Sequence, residues 1–200
     1  MEYPPFDPSI QRAALATLDY ARYASLALAI RRLDEESIPG AFAEVGVYRG
    51  ATSRFILQCA PERTLYLFDT FEGFPLRDRE PQNREDSRFR DTSAEVVRRA
   101  IGGGGNVVIR EGRFPGTAAG LEGERFALAL LDLDVYEPTL AGLGFFYPRL
   151  AAGGYLFVHD CNSPESNHAC RRAVTQFMAD KPEKPVELPD VWGSVVFRKS

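Results

Sequence analysis

Carboxylate and imidazole side chains follow two apolar segments in the C-terminal half of the chain. The segment "LLDLDVYEP" carries Asp132 and Asp134, and "VHDCN" carries His159 and Asp160. Carboxylates from neighbouring strand ends form an oxygen site that suits Mg²⁺, which keeps several waters and needs only one or two protein carboxylates. His159 offers a third ligand, or a base that takes a proton from a hydroxyl near neutral pH. These residues predict chemistry assisted by a metal or a base.

The same side chains have a purely structural alternative. Asp132 and Asp160 could cap helices and bind loop amides, and His159 could be a buried histidine whose hydrogen bonds are satisfied. His168 lies in a helix pattern and Cys161 has no neighbour in the sequence that would activate a nucleophile. We therefore expect these last two residues to be structural.

A glycine-containing loop, "EVGVYRG" at residues 44 to 50, follows the first apolar run. Gly46 permits a tight turn, Gly50 lets a helix begin close to the strand, and Glu44 ends the strand as an acceptor. Tyr48 stands where a dinucleotide-binding loop has its middle glycine, and its ring would crowd a diphosphate. The loop thus disfavours NAD and FAD and is compatible with S-adenosylmethionine (SAM), whose ammonium group Glu44 could meet. Alternatively, Tyr48 simply packs under the following helix.

Another acidic residue, Asp69, ends the second apolar run, "TLYLFD" at residues 64 to 69. It follows the glycine loop by roughly 20 residues, the place where an acidic side chain accepts the hydroxyls of a ribose. The loop and Asp69 together predict a ligand that contains adenosine.

Apolar runs and helix patterns alternate along the chain after a leading helical stretch. Continuous apolar strands joined by helices indicate parallel pairing with both faces covered. We therefore predict a doubly wound, Rossmann-like α/β fold, in which ligands bind beyond the carboxyl ends of the strands. The predicted strands are 41–47, 64–69, 106–112, 126–134, 155–160 and an edge strand at 193–199, and the predicted helices are 51–60, 92–101, 136–150 and about 165–179.

The 200 residues, 44% of them hydrophobic, suffice for one domain with a sizeable core. We expect a helical segment at 1–39 to pack on a domain at 40–200. The polar stretch at 76–91 is expected to be a solvated loop or an active-site lid. The three cysteines have no metal-type spacing and are expected to be free thiols.

The net charge of -4, with basic residues dispersed along the chain, argues against nucleic acid and anionic membranes as partners. The apolar stretches are far shorter than the roughly 20 residues that a membrane span needs. The N-terminal residues also lack the pattern of a signal peptide. From these features we expect a cytoplasmic location and a small-molecule partner.

Several motifs in this order resemble the TylF/macrocin O-methyltransferase family, whose SAM-dependent members methylate sugar hydroxyls of macrolides and related natural products. The resemblance covers about residues 40 to 200 and implies the class I methyltransferase fold, with strand order 3-2-1-4-5-7-6 and an antiparallel seventh strand. The blocks that carry it are "GAFAEVGVYRGATS", "LYLFDTFEGFP", "IREGRFPGT", "LLDLDVYEPT", "GGYLFVHDCNS" and "LPDVWGSVVFRK".

The resemblance also implies roles for individual residues. Family members typically have two successive aspartates at the fifth strand, where this chain has His159 and Asp160. They also carry further N-terminal segments that help to form the substrate site and the oligomer, so the acceptor and a homo-oligomer stay open. By matching motif, Glu44, Gly46, Tyr48 and Gly50 line the methionine part of SAM, Asp69 holds the ribose, Phe71, Gly112 and Phe114 border the adenine, and Asp132 lies near the methyl donor and binds the metal.

The sequence therefore predicts a SAM-dependent O-methyltransferase that acts on a hydroxyl of a sugar or another small natural product. Asp132 and Asp160, with or without Mg²⁺, would lower the pKa of the acceptor hydroxyl, and His159 would remove its proton. Two alternatives stay open. One is a nucleotide-dependent oxidoreductase on a similar sheet, which Tyr48 disfavours, and the other is a SAM-binding module without catalysis.

Overall fold

The computed structural model of the protein describes residues 7–79, 81, 85–102 and 106–200. In these residues the α-helices are α1 (Pro8–Leu15), α2 (Tyr20–Glu35), α3 (Ala51–Cys59), α4 (Ala94–Ile101), α5 (Tyr136–Phe146) and α6 (Ala169–Met178). The strands are β1 (Ala41–Val45), β2 (Leu65–Asp69), β3 (Val107–Glu111), β4 (Phe126–Leu131), β5 (Leu150–Val158), β6 (Val186–Glu187) and β7 (Val195–Arg198). Short 3₁₀ helices lie at Leu76–Asp78, Gly116–Ala118 and Tyr147–Arg149.

The strands form one sheet in the order β3-β2-β1-β4-β5-β7-β6. The first five strands are mutually parallel, and β7 runs antiparallel to both of its neighbours. This order confirms the class I methyltransferase fold. One detail of the prediction was wrong, because the strand predicted at the edge, β7, lies between β5 and β6. The two-residue β6 is too short to show any periodicity in the sequence.

Helices cover both faces of the sheet and create two apolar cores. On one face the core includes Phe126, Phe146 and Val174, from β4, α5 and α6. On the other face it includes Ile30 and Ile56, from α2 and α3. Every residue of β1 and β4 is buried, as expected for central parallel strands. The N-terminal helices thus pack on the same body as the sheet.

Two strand boundaries differ from the sequence prediction by three residues or more. β4 ends at Leu131 rather than at residue 134, and Asp134 has a φ of +58°, which lies outside the strand region. β5 begins at Leu150 rather than at residue 155, and its pairing with β4 shifts register between these two positions. Asp132 and Asp134 therefore lie in the loop after β4.

Among the described residues, every helix is too short or too polar to cross a lipid bilayer.

Candidate active site

The carboxyl ends of β1, β2 and β4 meet at one edge of the sheet, where two cavities adjoin. Gly46 and Asp69 line both of them. The apolar cavity encloses about 490 Å³, including space open to solvent, and is walled by Phe68, Phe74, Gly112, Phe114, Leu133 and other residues. The charged cavity encloses about 890 Å³ on the same measure and is lined by Arg22, Glu44, Tyr48, Asp132, Asp134 and others. The site therefore has an apolar half and a charged half on either side of the glycine loop.

Gly46 allows the loop after β1 to touch the chain after β4. Its φ is +89°, and a Cβ atom added there would lie 1.7 Å from the carbonyl oxygen of Asp132. The Asp132 amide in turn donates a hydrogen bond to the carbonyl oxygen of Val45 at 2.8 Å. Gly50, with a φ of +78°, precedes α3 and faces Val97, and it is not among the residues that line the charged cavity. The first glycine therefore sets the distance between two loops of the site.

The Asp69 carboxylate holds this loop in place. One oxygen accepts hydrogen bonds from the amides of Val47 and Tyr48 at 2.7 and 2.8 Å, and the other accepts from the Phe71 amide at 2.7 Å. A carboxylate has about four acceptor positions, so about one is left for a ligand hydroxyl. The sequence did not reveal this structural role, because hydrogen bonds between distant loops leave no local pattern.

Tyr48 adopts a left-handed backbone conformation, with a φ of +53°. Its hydroxyl donates to an oxygen of Asp91 at 2.9 Å, and its ring packs edge-to-face on Phe89 with centroids 5.1 Å apart. Arg49 lies over the same ring and pairs with Asp91. The tyrosine hydroxyl is thus engaged by residues 85–91, which we call the covering segment, and the ring lines the charged cavity.

The covering segment connects loops on opposite sides of the site. Arg88 forms an ion pair with Glu165, in the loop after β5, with 2.6 Å between nitrogen and oxygen. Asp91 binds Tyr48 in the loop after β1, as described above. Nearby, Asp78 accepts two hydrogen bonds from the Arg113 guanidinium at 2.7 and 2.6 Å. Residues 80 and 82–84 of the predicted lid lie outside the described residues.

The aromatic residues expected around the adenine differ in their placement. Phe114 is buried and, with Gly112, lines the apolar cavity. Phe71 is also buried, but it belongs to the apolar core shared with α2 and α3 and is not among the residues that line either cavity. Phe74, three residues later, lines the apolar cavity. The sequence did not distinguish the two phenylalanines because both belong to one short motif.

Glu44 is a buried carboxyl group beside the charged cavity. It is 1% exposed and accepts a hydrogen bond from the Ser53 hydroxyl of α3. Burial raises the pKa of Glu44 to about 8, although the bond from Ser53 and the charge of Arg22 oppose this shift. A carboxyl group with such a pKa can exchange its proton for a cationic ligand group near neutral pH.

Asp132, His159 and Asp160 converge at the strand ends, as their order in the sequence suggested. One ligand atom from each residue lies within 4.8 Å of the other two. The Nε2 atom of His159 is 3.7 Å from an oxygen of Asp160. Asp134 lines the charged cavity together with Asp132. We call Asp132, Asp134, His159 and Asp160 the carboxylate–histidine cluster.

The charges in this cluster are unequal because its carboxyl groups are close together and shielded from water. Burial opposes ionisation of Asp132, but interactions that favour the carboxylate, chiefly with Arg22, lower its pKa. Burial and the neighbouring Asp132 and Asp134 raise the pKa of Asp160, and burial also lowers the pKa of His159. For Asp134, burial and the Asp132 charge raise the pKa to about 7. Near neutral pH, the cluster therefore combines an ionised Asp132 with a neutral imidazole.

Arg22 of α2 is a site residue that the sequence did not reveal. Its Nη2 atom donates to an oxygen of Asp132 at 2.5 Å, and the side chain is 11% exposed. Its Nε atom is buried and has no hydrogen-bond partner among the described residues. Arg22 is one of many arginines in the chain, and a contact with a residue 110 positions away has no local signature.

Two of the turns that carry the cluster have unusual backbone conformations. Asp134 and Asp160 both have a φ of +58°. Non-glycine residues rarely adopt this conformation, which is typically unfavourable by about 1–3 kcal/mol and occurs preferentially at functional sites. The fold thus directs these acidic side chains at some expense of stability.

Comparison with known proteins identifies the family. Residues 8–199 match the family described as Macrocin-O-methyltransferase (TylF). The mycinamicin III 3''-O-methyltransferase of Micromonospora griseorubida is 29% identical over 84% of this chain and 76% of its own length. The 8-demethyl-8-(2,3-dimethoxy-alpha-L-rhamnosyl)-tetracenomycin-C 4'-O-methyltransferase of Streptomyces olivaceus is also 29% identical, over 80% of this chain and 69% of its own.

A solved structure supports the same assignment. The O-methyltransferase NovP superposes with a TM-score of 0.74 at 25% identity, covering 90% of this chain and 80% of its own. The family match and the sheet order agree with the expectation from the sequence. The chain therefore belongs to the TylF macrocin-O-methyltransferase family and is a SAM-dependent O-methyltransferase.

Proposed function

We propose that the chain methylates a hydroxyl group of a sugar attached to a small natural product, with His159 as the base. The observation that carries this proposal is the convergence of Asp132, His159 and Asp160 within 4.8 Å beside the glycine loop. The tetracenomycin relative supports the substrate class, since its name specifies a rhamnosyl-bearing acceptor.

The two cavities suggest how the chain binds SAM. We assign the adenine to the apolar cavity, next to Gly112 and Phe114, and the ribose to the remaining acceptor position of Asp69. The methionine end would lie in the charged cavity, along Gly46 and Tyr48. There Glu44 would meet the ammonium group of the ligand. Gly50 would act indirectly, by placing the start of α3 behind the loop.

The proposed role of Glu44 predicts that affinity for S-adenosylhomocysteine rises with pH up to about 8. Because burial raises the pKa of Glu44 to about 8, the carboxyl group must lose a proton when it pairs with the ammonium group. Affinity should increase by up to about tenfold per pH unit below this value. Calorimetry in two buffers of different ionisation enthalpy would measure both the affinity and the proton release.

Glu44→Gln is the matched variant for this test, and it should remove both the pH dependence and the proton release. A wild-type affinity that stays constant between about pH 6 and pH 8 would contradict the assignment. The same shift has the opposite effect on folding of the free protein. The contribution of Glu44 to the free energy of unfolding is complete below the pKa that Glu44 has in the unfolded chain, near 4.5. It is lost as the pH rises towards the folded-state pKa of about 8.

The carboxylate–histidine cluster provides the chemistry that the acceptor needs. SAM supplies a methyl group on a positively charged sulfur, so the protein has to align the acceptor hydroxyl and remove its proton. The His159 Nε2 atom would take that proton, because a neutral imidazole is a good base near neutral pH. The ionised Asp132 would stabilise the imidazolium that results.

The cluster also fits a divalent cation. Asp132 and Asp160 offer carboxylate oxygens and His159 offers an imidazole nitrogen at compatible separations. Because Mg²⁺ keeps several waters, Asp132 and Asp160 would suffice to hold it and leave His159 free as the base. A cation there would lower the pKa of the acceptor hydroxyl. The short ion pair between Arg22 and Asp132 competes with this arrangement. Comparing the activity in EDTA with the activity in added Mg²⁺ tests whether a cation takes part.

The acceptor class can be tested with SAM that carries an isotopically labelled methyl group. We expect the label on a sugar oxygen of rhamnosylated polyketide acceptors, and no label on the matched aglycones that lack the sugar. Mass spectrometry of the products would locate it. Labelling of the aglycones alone would overturn the sugar assignment. Binding of S-adenosylhomocysteine without labelling of any hydroxylated acceptor would favour a SAM-binding module without catalysis.

A further inference from the structure

A buried hydrogen-bond chain lies behind His159, on the side of the ring opposite to the cluster. The Nδ1 atom of His159 is 2.9 Å from the Oγ atom of Ser194, immediately before β7. Ser194 Oγ donates a hydrogen bond to Oδ2 of Asp190 at 2.5 Å. The direct distance from His159 Nδ1 to Asp190 Oδ2 is 3.7 Å, too long for a hydrogen bond. Ser194 therefore connects the histidine to the aspartate.

This hydrogen-bond chain is buried, and backbone hydrogen bonds hold it in place. The Asp190 side chain is fully shielded from solvent and Ser194 is 2% exposed. The other Asp190 oxygen accepts the amide of Ser194 at 2.5 Å. The amide of Cys161, two residues after His159, donates to the Gly193 carbonyl oxygen at 2.8 Å. The histidine and its two partners are thus fixed on adjacent, hydrogen-bonded segments.

The hydrogen-bond directions determine where the neutral imidazole carries its proton. The Ser194 hydroxyl donates to Oδ2 of Asp190, so its single proton points to that carboxyl oxygen. The Ser194 oxygen is then left as an acceptor, and His159 has to donate to it from Nδ1. With the proton on Nδ1, the Nε2 lone pair is free and faces the cluster. Such partners are known to fix both the tautomer and the orientation of a histidine.

We propose that Ser194 and Asp190 are positioning residues for methyl transfer, because they hold His159 with Nδ1 protonated and Nε2 directed at the acceptor site. The inference rests on the proposed role of His159 as the base. In the step itself, the acceptor O–H bond breaks and its proton moves to Nε2. The new O–CH₃ bond forms as the S–CH₃ bond breaks, and S-adenosylhomocysteine leaves. Neither Ser194 nor Asp190 exchanges a proton with the acceptor.

The tautomer can be observed directly by ¹⁵N NMR of the protein labelled in its imidazole rings. The chain has only two histidines, so a His168→Gln variant assigns the His159 signals. We expect a protonated Nδ1 and an unprotonated Nε2 in the wild-type protein under conditions where the ring is neutral. In Ser194→Ala, which removes the acceptor, the Nδ1 proton should be lost in favour of the Nε2 tautomer common in free histidine.

Asp190→Asn provides a second variant with nearly unchanged shape. The Asn carbonyl oxygen must stay opposite the Ser194 amide, which donates to that position. The new NH₂ group then faces the Ser194 hydroxyl, whose proton turns towards His159 and forces the ring proton onto Nε2. This substitution should therefore reverse the tautomer without removing any side chain.

Steady-state kinetics would separate positioning from general structural support. We expect Ser194→Ala and Asp190→Asn to lower kcat by about 10- to 100-fold, with the KM for SAM changed by less than about twofold. Ser166→Ala is the matched control, because Ser166 is equally buried and its hydroxyl bonds to the Ser163 carbonyl oxygen, away from His159. Its kcat should equal that of the wild type.

Three results would overturn the inference. A wild-type His159 whose neutral ring is protonated on Nε2 would do so directly. An Asp190→Asn variant that keeps both the wild-type tautomer and the wild-type kcat would show that the hydrogen bonds of Ser194 and Asp190 do not determine the tautomer of His159. Full activity of His159→Asn, with Nδ1 protonated in the wild type, would instead remove the base role on which the inference depends.

Discussion

Replacing Asp132 by asparagine is expected to lower kcat by about 1,000-fold or more while the domain still folds. Asp132 is the carboxylate that Arg22 keeps ionised, and it faces the histidine that becomes positively charged during the reaction. Asparagine removes that charge but keeps an oxygen that can accept from Arg22. The arginine is therefore not left without a partner, which would destabilise the fold.

The measurement is kcat under SAM saturation, together with thermal unfolding of each protein. Asp34→Asn is the matched control, since it also removes the charge of an aspartate paired with an arginine, here Arg63 at 2.9 Å on the surface. That variant should retain wild-type activity. Near-normal turnover of Asp132→Asn would remove Asp132 from the mechanism, and the acidic residue would be a structural partner of Arg22.

His159→Asn is expected to lower kcat by about 100- to 10,000-fold and to leave the affinity for SAM largely unchanged. The expected loss is that of a general base, because asparagine cannot take up a proton. Binding of SAM should persist, because His159 is not among the residues that line either of the two cavities. The substitution therefore separates proton removal from cofactor binding.

Calorimetry for binding and single-turnover kinetics for chemistry would measure the two effects independently. The control is His168→Asn, at an exposed residue before α6, which should behave like the wild type. An unchanged single-turnover rate in His159→Asn would show that His159 is a buried structural histidine. Loss of SAM binding with an unchanged rate at saturation would likewise refute its assignment as the base.

Much of the fold could be predicted because central parallel strands have a clear sequence signal. β1 and β4 are continuous apolar runs, and helices with one apolar face lie between the strands. The strand order came from the family resemblance and not from the pattern itself. β6 could not be predicted, since two residues have no period. The apolar pattern also does not encode the left-handed backbone conformation of Asp134, which excludes that residue from the strand.

The cluster could be predicted for a topological reason. Asp132 and His159 follow parallel strands that are neighbours in the sheet, so their side chains meet at the same edge. Arg22 and Ser194 could not be predicted, because they approach the cluster from α2 and from the start of β7. Their partners are 110 and 35 residues away in the chain, and no spacing rule connects them.

The glycine loop contains one residue whose role could be predicted from the sequence and one whose contact could not. The close approach of Gly46 to Asp132 shows why a side chain at that position would not fit. Tyr48, in contrast, directs its hydroxyl to Asp91 in the covering segment, a contact across 43 residues. No local pattern in the sequence connects these two residues.

Calorimetric titration of the wild-type protein with S-adenosylhomocysteine tests the central claim most directly, because it requires no knowledge of the acceptor. The account predicts saturable binding of one ligand per chain, both in EDTA and with added Mg²⁺, since the ligand occupies the two cavities and not the cation site. It also predicts that Gly46→Val abolishes this binding. Failure of the wild-type protein to bind under either condition would contradict the account.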